Sequence, residues 1–318
     1  MANVGQELFE AAAAGGVDLF YEAAVAGGIP LIRALRDSLA GERINRVMGI
    51  VNGTTNFILT KMTEEGADYS EVLAEAQRLG FAEADPTADV EGSDAAAKAA
   101  ILASIAFGAK VVAGDVYQEG ISKISANDIA AAAHMGHVIK LLALAEFEGG
   151  EVAVRVHPTM VPHTHPLASV RESFNAVFLE GSEVGYLMLY GRGAGGGPTA
   201  SAMLGDVISA AKNLQQGVSS EFGVLSEVKI RAIDETSSAF YLQLDVEDKP
   251  GVLAVVAGVF GEHGVSIRSM EQKGHDATAH LVFITHQARE ADVQSTIREL
   301  RDLDEVRDIG ALIRVIGD

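Results

Sequence analysis

"MANVGQELFEAAAAGGVDLFYEAAVAGGIPLIRALRDSL" (residues 1–39) reads as helix, strand, tight glycine-rich turn and helix, an α/β repeat met without its first strand. Gly27 and Gly28 ahead of Pro30 suit a sharp bend into a helix. The alternation continues outward: "VDLFYEAAV" (17–25) and "INRVMGIV" (44–51) have the apolar character of strands, each followed by a turn and a helical pattern. Parallel α/β or mixed α+β pairing is the expectation. Residues 93–108 and 127–147 read as long helices, the second carrying "AAAHMGHVIKLLALAEF" with apolar residues on more than one face, which predicts burial. From "VAVRVHPTMVP" through "NAVFLEG" to "GYLMLYG" the chain turns strand-rich, with Pro158, Pro162 and Pro166 marking loops. "GRGAGGGPTASAMLGDVISAAKNL" is a glycine-rich loop and a helix, and the non-periodic stretch after it reads as a linker. The tail predicts strand 239–246, a helix after "DKPGVL", strands 265–273 and 279–286, helix 290–303 and strand 308–316. That order, βαββαβ, is a ferredoxin-like unit.

A length of 318 residues with 48% apolar content suits two or three domains with ample cores. Against 24 basic residues stand 44 acidic ones, a net charge of -20 that repels nucleic-acid phosphates and anionic lipid. Small molecules or proteins are therefore the expected partners. The absence of cysteine excludes disulfides and thiolate metal sites and fits the cytoplasm. No Lys or Arg precedes Arg33, so the start lacks a basic signal-peptide region, and no apolar run reaches membrane-spanning length free of charge.

The stretch "GFAEADPTADVEGSDAAAKAAILASIAFGA" (80–109) concentrates the chemistry. Five carboxylates fall in the twelve residues from Glu83 to Asp94, after which Lys98 is the one charge before Lys110. Ser93 or Asp94 is the expected helix N-cap, placing Asp94 and Lys98 on one face near the positive helix end. Desolvation and that helix end favour a neutral amine while Asp94 favours the ammonium, an opposition suited to a proton donor. A surface ion pair explains the same letters. Among Glu83, Asp85, Asp89 and Glu91, one carboxylate can hold a cationic group such as an α-ammonium, whereas a solvated acidic loop is the plainer use. The spacing matches no EF-hand.

"VMGIVNGTTNFIL" runs a strand into Asn52-Gly53-Thr54 and a helix start, where free N–H groups and hydroxyls gather, either as an anion site or as an ordinary capped turn. Glu22 ends a predicted strand at a turn where carbonyls of Val25, Gly27 and Ile29 can converge on a monovalent cation, although a tight turn alone explains the glycines. Gly191, Gly193 and Gly196 have G-x-G-x-x-G spacing after a strand and before a helix, but no second strand with a ribose-binding acid follows. The loop, Gly195 included, can still approach a phosphate or nicotinamide from outside such a unit. His134, His137, His157, His163 and His165 match no metal spacing.

Taken together, "LFYEAAVAGGIPLIR", "GIVNGTTNFIL", "LGFAEADPTADVEGSDAAAKAAILA", "YGRGAGGGPTASAMLGD" and "DKPGVLAVVAGVFGEHGVSI" resemble, in order, bacterial homoserine dehydrogenases that carry a C-terminal ACT domain. The resemblance covers nearly the whole chain. It implies NAD(P)H-dependent interconversion of L-aspartate 4-semialdehyde and L-homoserine, on the route to threonine, methionine and isoleucine. It implies Lys98 as proton donor to the aldehyde oxygen, Asp94 as its orienting partner, Glu83 as the holder of the substrate ammonium, and Asn52, Gly53 and Thr54 beside substrate and nicotinamide. It also implies sodium between Glu22 and the carbonyls of Val25, Gly27 and Ile29, coenzyme near Gly191, Gly193 and Gly195, and an amino-acid effector such as threonine at Asp248, Pro250, Gly251 and Val252. A homodimer or homotetramer is expected.

The same resemblance suggests a domain plan. Residues 1–30 would be the residual end of a nucleotide-binding domain, 31–190 a substrate-binding and dimerisation domain, 191–216 a return to the nucleotide side, 217–238 a linker and 239–318 the ACT unit. Family members open with a Rossmann unit bearing the main G-x-G-x-x-G, and this chain is expected to start just after it. Without that unit the polypeptide is expected to be inactive or nearly so, since near-attack geometry depends on a fixed coenzyme. A non-enzymatic amino-acid sensor that kept the fold is the alternative.

Overall fold

In a computed structural model of the chain, the described residues are 1–219, 225–275 and 278–317, without the side chains at 273 and 275. Strand β1 (Ile44–Ile50) lies antiparallel between two longer neighbours, β2 (His137–Glu148) and β4 (Phe174–Gly181). Strand β2 turns through Gly149 and Gly150, both at positive φ, into β3 (Glu151–Pro162), while β4 pairs outward with β5 (Gly185–Arg192). Beyond α1 (Gly5–Gly15), four helices cover one face of this sheet side: α2 (Gly53–Glu65), α3 (Tyr69–Leu79), α4 (Ser93–Phe107) and α5 (Ala126–His134). The core beneath them includes Val47, Ile58, Met62, Ala99, Leu102, Leu141 and Val156. Met48, Ile50, Leu142, Leu144, Leu167 and Phe178 form a second buried cluster. Alternate residues of β1 and β2 therefore enter different cores, and both sets are apolar.

The tail forms β6 (Ser237–Glu247), α7 (Val252–Glu262), β7 (Ile267–His275), β8 (Thr278–Thr285), α8 (Glu290–Arg301) and β9 (Val306–Val315). Its strands run in the order β9-β6-β8-β7, the ferredoxin-like arrangement predicted for βαββαβ, around Phe240, Leu244, Val256, Phe260, Phe283 and Leu300. Arg314 and Val315 of β9 pair in parallel with Thr159 and Met160 of β3, so the two parts share one sheet, β5-β4-β1-β2-β3-β9-β6-β8-β7.

Four readings of local structure change. Residues 17–21 have no regular structure and Glu22–Ala24 is a 3₁₀ turn, because the backbone donors there serve tertiary contacts instead of a sheet: Glu22 N–H to Asp206, Gly27 N–H to Gly193 and Gly28 N–H to Arg192. The helix expected over 127–147 stops at His134, Gly136 takes φ of 73°, and residues 137–148 are β2. Burial on both faces had erased the alternation that marks a strand. Pro158 sits inside β3 and Pro162 ends it. On the side of β3 away from β2, its partners pair at 151–152, 155–156 and 159–160, and Pro158 falls in a gap among them. The N-cap of α4 is Gly92, at φ of 87°, while Ser93 Oγ donates instead to Ala88 O at 3.2 Å.

The segment read as a linker is stitched to the first sheet where it is described. Ser226 exchanges backbone hydrogen bonds of 2.8 Å with Gly108 and Lys110, and Lys229–Ile230 pairs with Glu151 and Val152. Helix α6 (Gly196–Gln216) has no fully buried residue and leaves Leu204, Val207 and Leu214 exposed. Among the described residues no helix is long and apolar enough to cross a membrane.

Candidate active site

Strand β1 delivers Asn52 to the first turn of α2, where it is the N-cap. Its Oδ1 accepts from Thr55 N–H at 2.9 Å and from Thr55 Oγ1 at 3.0 Å, which satisfies one of the orphan donors of the helix start. The other end of the same amide reaches across to the acidic loop: Nδ2 donates to Asp89 Oδ1 at 2.7 Å and to Asp94 Oδ2 at 2.8 Å. Asp94 Oδ2 also accepts from Lys98 Nζ at 2.7 Å, and Lys98 donates again to Val51 O at 3.1 Å. Lys98, Asp94, Asn52 and Asp89 thus form one chain of hydrogen bonds joining α4, the strand end and the loop.

The Lys98 side chain is 23% exposed and that of Asp94 33%, so the pair lies at an opening and not in the sealed core. A lysine ammonium has three N–H donors and two are used here, which leaves one for a ligand oxygen. Thr54 Oγ1 donates to Phe81 O at 2.7 Å, and Phe57 stacks on Phe81 with ring centroids 4.6 Å apart, holding the 80–84 segment beside the start of α2. Glu83 is exposed, and its carboxylate makes no hydrogen bond or ion pair among the described residues. Asp85 is used locally, accepting from Thr87 N–H and Thr87 Oγ1, and these donors hold its carboxyl below the usual range. Gly53 is required sterically: a Cβ there would lie 2.8 Å from Ser173 O.

A second group of predicted residues gathers where 22–33 meets the loop after β5. Gly27 N–H donates to Gly193 O at 2.8 Å and Gly28 N–H to Arg192 O at 2.9 Å. Glu22 is 4% exposed; its oxygens accept from Ile32 N–H at 2.9 Å and Arg33 N–H at 3.0 Å, and Arg33 Nη2 bonds Asp206 at 2.6 Å. Burial pushes the Glu22 carboxyl up, against the pull of those backbone donors and Arg33. Among the described residues the carbonyls of Val25 and Gly27 accept no hydrogen bond, while that of Ile29 accepts from Leu31 N–H at 2.7 Å. A cavity of about 540 Å³ adjoins Glu22, Gly27, Gly28, Arg33 and Arg192.

The glycine spacing at 191–196 has a steric cause at two of its positions. A Cβ on Gly193 would lie 2.1 Å from Asn175 Cγ, and one on Gly191 3.2 Å from Ile29; Gly195 takes φ of 117° ahead of α6. The loop packs on its own protein through Gly193 and Arg192, while among the described residues the N–H groups of 193–197 donate no hydrogen bond and residues 194–197 are exposed at the start of α6. In the tail, Gly251 at φ of 95° caps α7, Val252 is buried, and Asp248 lies against the backbone of Gly274. A larger cavity of about 620 Å³, bordered by Phe9, Tyr21, Ser104 and Ile105, does not include Lys98. His157 is fully buried, with its imidazole held well below the usual range by desolvation, and no cluster of metal-binding side chains occurs among the described residues.

In the sequence Asp89 is one of several acidic-loop carboxylates with no distinct role; its bond to Asn52 spans 37 positions and no local pattern announces it. Two further groups, Lys140 and Arg314, carried no sequence signal beyond being charges inside apolar strands.

The family model described as Homoserine dehydrogenase matches residues 30–208, and that described as ACT domain matches residues 240–305. A homoserine dehydrogenase of Corynebacterium glutamicum is 54% identical over 318 residues, which cover 98% of this chain and 72% of that protein. The chain belongs to the homoserine dehydrogenase family. The Bacillus subtilis homoserine dehydrogenase is 44% identical, over 100% of this chain and 75% of its own. The solved homoserine dehydrogenase of Thiobacillus denitrificans superposes with a TM-score of 0.94 at 40% identity, covering 99% of this chain and 74% of that one. A hyperthermophilic archaeal homoserine dehydrogenase solved in complex with NADPH gives a TM-score of 0.59 at 32% identity, over 71% of this chain and 63% of that one. Homoserine dehydrogenases are oxidoreductases that use NAD(P), and the mixed sheet with its ACT tail matches solved homoserine dehydrogenase structures.

Proposed function

We propose that Lys98 is the proton donor and acceptor at the C4 oxygen in the interconversion of L-aspartate 4-semialdehyde and L-homoserine. The observation that carries this reading is the bond chain Lys98–Asp94–Asn52–Asp89, which fixes the amine at an opening with one N–H unused. NAD(P), when bound, supplies or takes up the hydride. In the reducing direction Lys98 gives a proton to the oxygen as it becomes an alcohol; in the oxidising direction it takes that proton back. Asp94 keeps the amine aimed, and the N-terminus of α2 at Asn52, Gly53 and Thr54 lies beside the reacting atoms. Glu83, lacking a partner of its own, holds the substrate α-ammonium.

The residues that would hold this coenzyme are Gly53 and Thr54 at its reacting end and the 191–195 loop, whose exposed N–H groups from Ala194 onward donate no hydrogen bond among the described residues. Near-attack geometry depends on a fixed coenzyme, and we propose that residues 1–318 by themselves are inactive or nearly so. A sodium ion would be held by Glu22 and the carbonyls of Val25, Gly27 and Ile29, of which those of Val25 and Gly27 accept no hydrogen bond among the described residues. The ACT unit takes an amino-acid effector such as threonine around Asp248, Pro250, Gly251 and Val252, and the protein is a cytoplasmic homodimer or homotetramer.

Calorimetric titration of the chain with homoserine tests the substrate reading: Glu83→Gln is expected to weaken binding by about tenfold or more, in line with losing a charge-assisted contact. Equal affinities would remove Glu83 from the site. Titration with NADPH followed by a homoserine oxidation assay should show neither micromolar binding nor turnover, and turnover would overturn the claim of inactivity.

A further inference from the structure

Where the ACT unit meets the first sheet, a single arginine is shared between them. Arg314, next to last in β9, is 1% exposed. From its own unit, Glu290 at the start of α8 receives Nε at 2.8 Å and Nη2 at 2.7 Å. From the other, Glu119 receives Nη1 and Nη2, each at 3.1 Å. The Tyr117 hydroxyl donates to the same Glu119 carboxylate, and the guanidinium lies over the rings of Tyr117, at 5.4 Å, and Phe240, at 6.0 Å. A guanidinium gripped by two carboxylates on both edges of its fork is oriented far more tightly than a point charge.

Glu119 is in turn fixed to the entrance of the site helix. Its N–H donates to Val156 O at 2.8 Å, and Ile121 N–H donates to Val90 O at 2.8 Å. Gly120 presses so closely on the acidic loop that a Cβ would lie 2.2 Å from Val90 O and 2.5 Å from Glu91 Cα. Gly92, the N-cap of α4, sits with its Cβ direction 3.3 Å from Glu119 O. Residues 89–92 thus lie between Glu119 and the Asp89–Asn52–Asp94–Lys98 bonds.

We infer that Arg314 is a positioning residue for the active site: through Glu119 it sets the seat of residues 89–92, and hence the placement of Asp89, Asp94 and Lys98. The ACT unit is then a structural part of that site, as well as a module attached to it. The inference rests on reading Lys98 and Asp94 as the reacting group and its partner.

Amide hydrogen exchange on the whole chain tests it. Glu119 is partly exposed, so Glu119→Gln should keep the fold, with a melting temperature close to that of the parent. Exchange at 89–98 is expected to rise about tenfold, with β1 and the core of the ACT unit unchanged. Arg314→Lys, which keeps the charge and loses the fork, should give a smaller local rise. Glu290→Gln, made wholly within the ACT unit, should loosen the same ten residues. Unaltered exchange at 89–98 in Glu119→Gln, or a rise spread evenly over the chain, would overturn the inference. Exchange reads the seat of the helix whatever Lys98 does, so failure here is distinct from failure of the proton-donor reading, which turnover measures.

Discussion

Two lysines reach the first turn of α2 from opposite sides and are treated differently. Lys98 meets a carboxylate, Asp94, shared with Asn52, and is open on one side. Lys140, on β2, is 3% exposed and bonds only neutral acceptors, Asn56 Oδ1 at 3.0 Å and Val170 O at 2.6 Å. Asn56, four residues after Asn52, spends its own Nδ2 on the carbonyls of Glu172, at 2.9 Å, and Phe174, at 3.1 Å, with Val170 at 3.4 Å. Desolvation pushes the Lys140 ammonium down to about 8, while Glu64 raises it and Arg171 lowers it from farther off. The difference teaches what each amine is for. One has a counter-charge and an unused donor at an opening, as proton transfer needs; the other is sealed in to clamp the 170–174 loop beneath Gly53.

The contrast breaks if Lys98 proves dispensable. In a form of the enzyme that turns over, Lys98→Ala should lower kcat by about a hundredfold or more, measured as homoserine oxidation. An unchanged rate would make Lys98 scaffolding like Lys140. Next in size, Lys140→Met should cost on the order of 2 kcal/mol of stability by leaving buried acceptors unmet, read from urea unfolding. The pH dependence sharpens the point. Because folding lowers the Lys140 value from 10.5 to about 8, the unfolded chain keeps a proton that the native state releases within that window. Parent stability should therefore rise from about pH 8 to 10.5 relative to Lys140→Met, with a constant difference below it. A flat difference across the window would mean that Lys140 titrates normally. Least of all, Arg171→Ala, which removes the exposed 2.5 Å pair with Glu64, should change stability by less than about 0.5 kcal/mol.

Much of this was readable in the letters, and the exceptions have physical causes. The tail was legible because its strands are bounded by turns and separated by two clear helices. The Asp94–Lys98 spacing was legible because a helix places residues four apart on one face. Residues 137–148 were not, since "HVIKLLALAEFE" is apolar toward two cores and a Leu/Ala-rich run fits a buried helix equally well; only Gly136 and the Gly149–Gly150 turn separate the cases. Residues 17–25 looked like a strand because apolar letters say nothing about whether an edge is available to pair with. Lys140 and Arg314 were invisible for a further reason. The partners of Lys140 lie 84 and 30 positions away, at Asn56 and Val170, and those of Arg314 lie 195 and 24 away, at Glu119 and Glu290, so nothing in a local window tells a clamped cation from a stray one.

The two rungs where β9 meets β3 bear on how the halves of the molecule can be separated. A protease that nicks the stretch around residue 228 cuts the covalent tether but leaves the hydrogen-bonded seam and the Arg314 grip intact, so the fragments should travel together. Anyone trimming the tail from such a chain would do more than delete a regulator: the cut would bare a raw sheet edge along β3, with the adhesive tendencies that such edges carry.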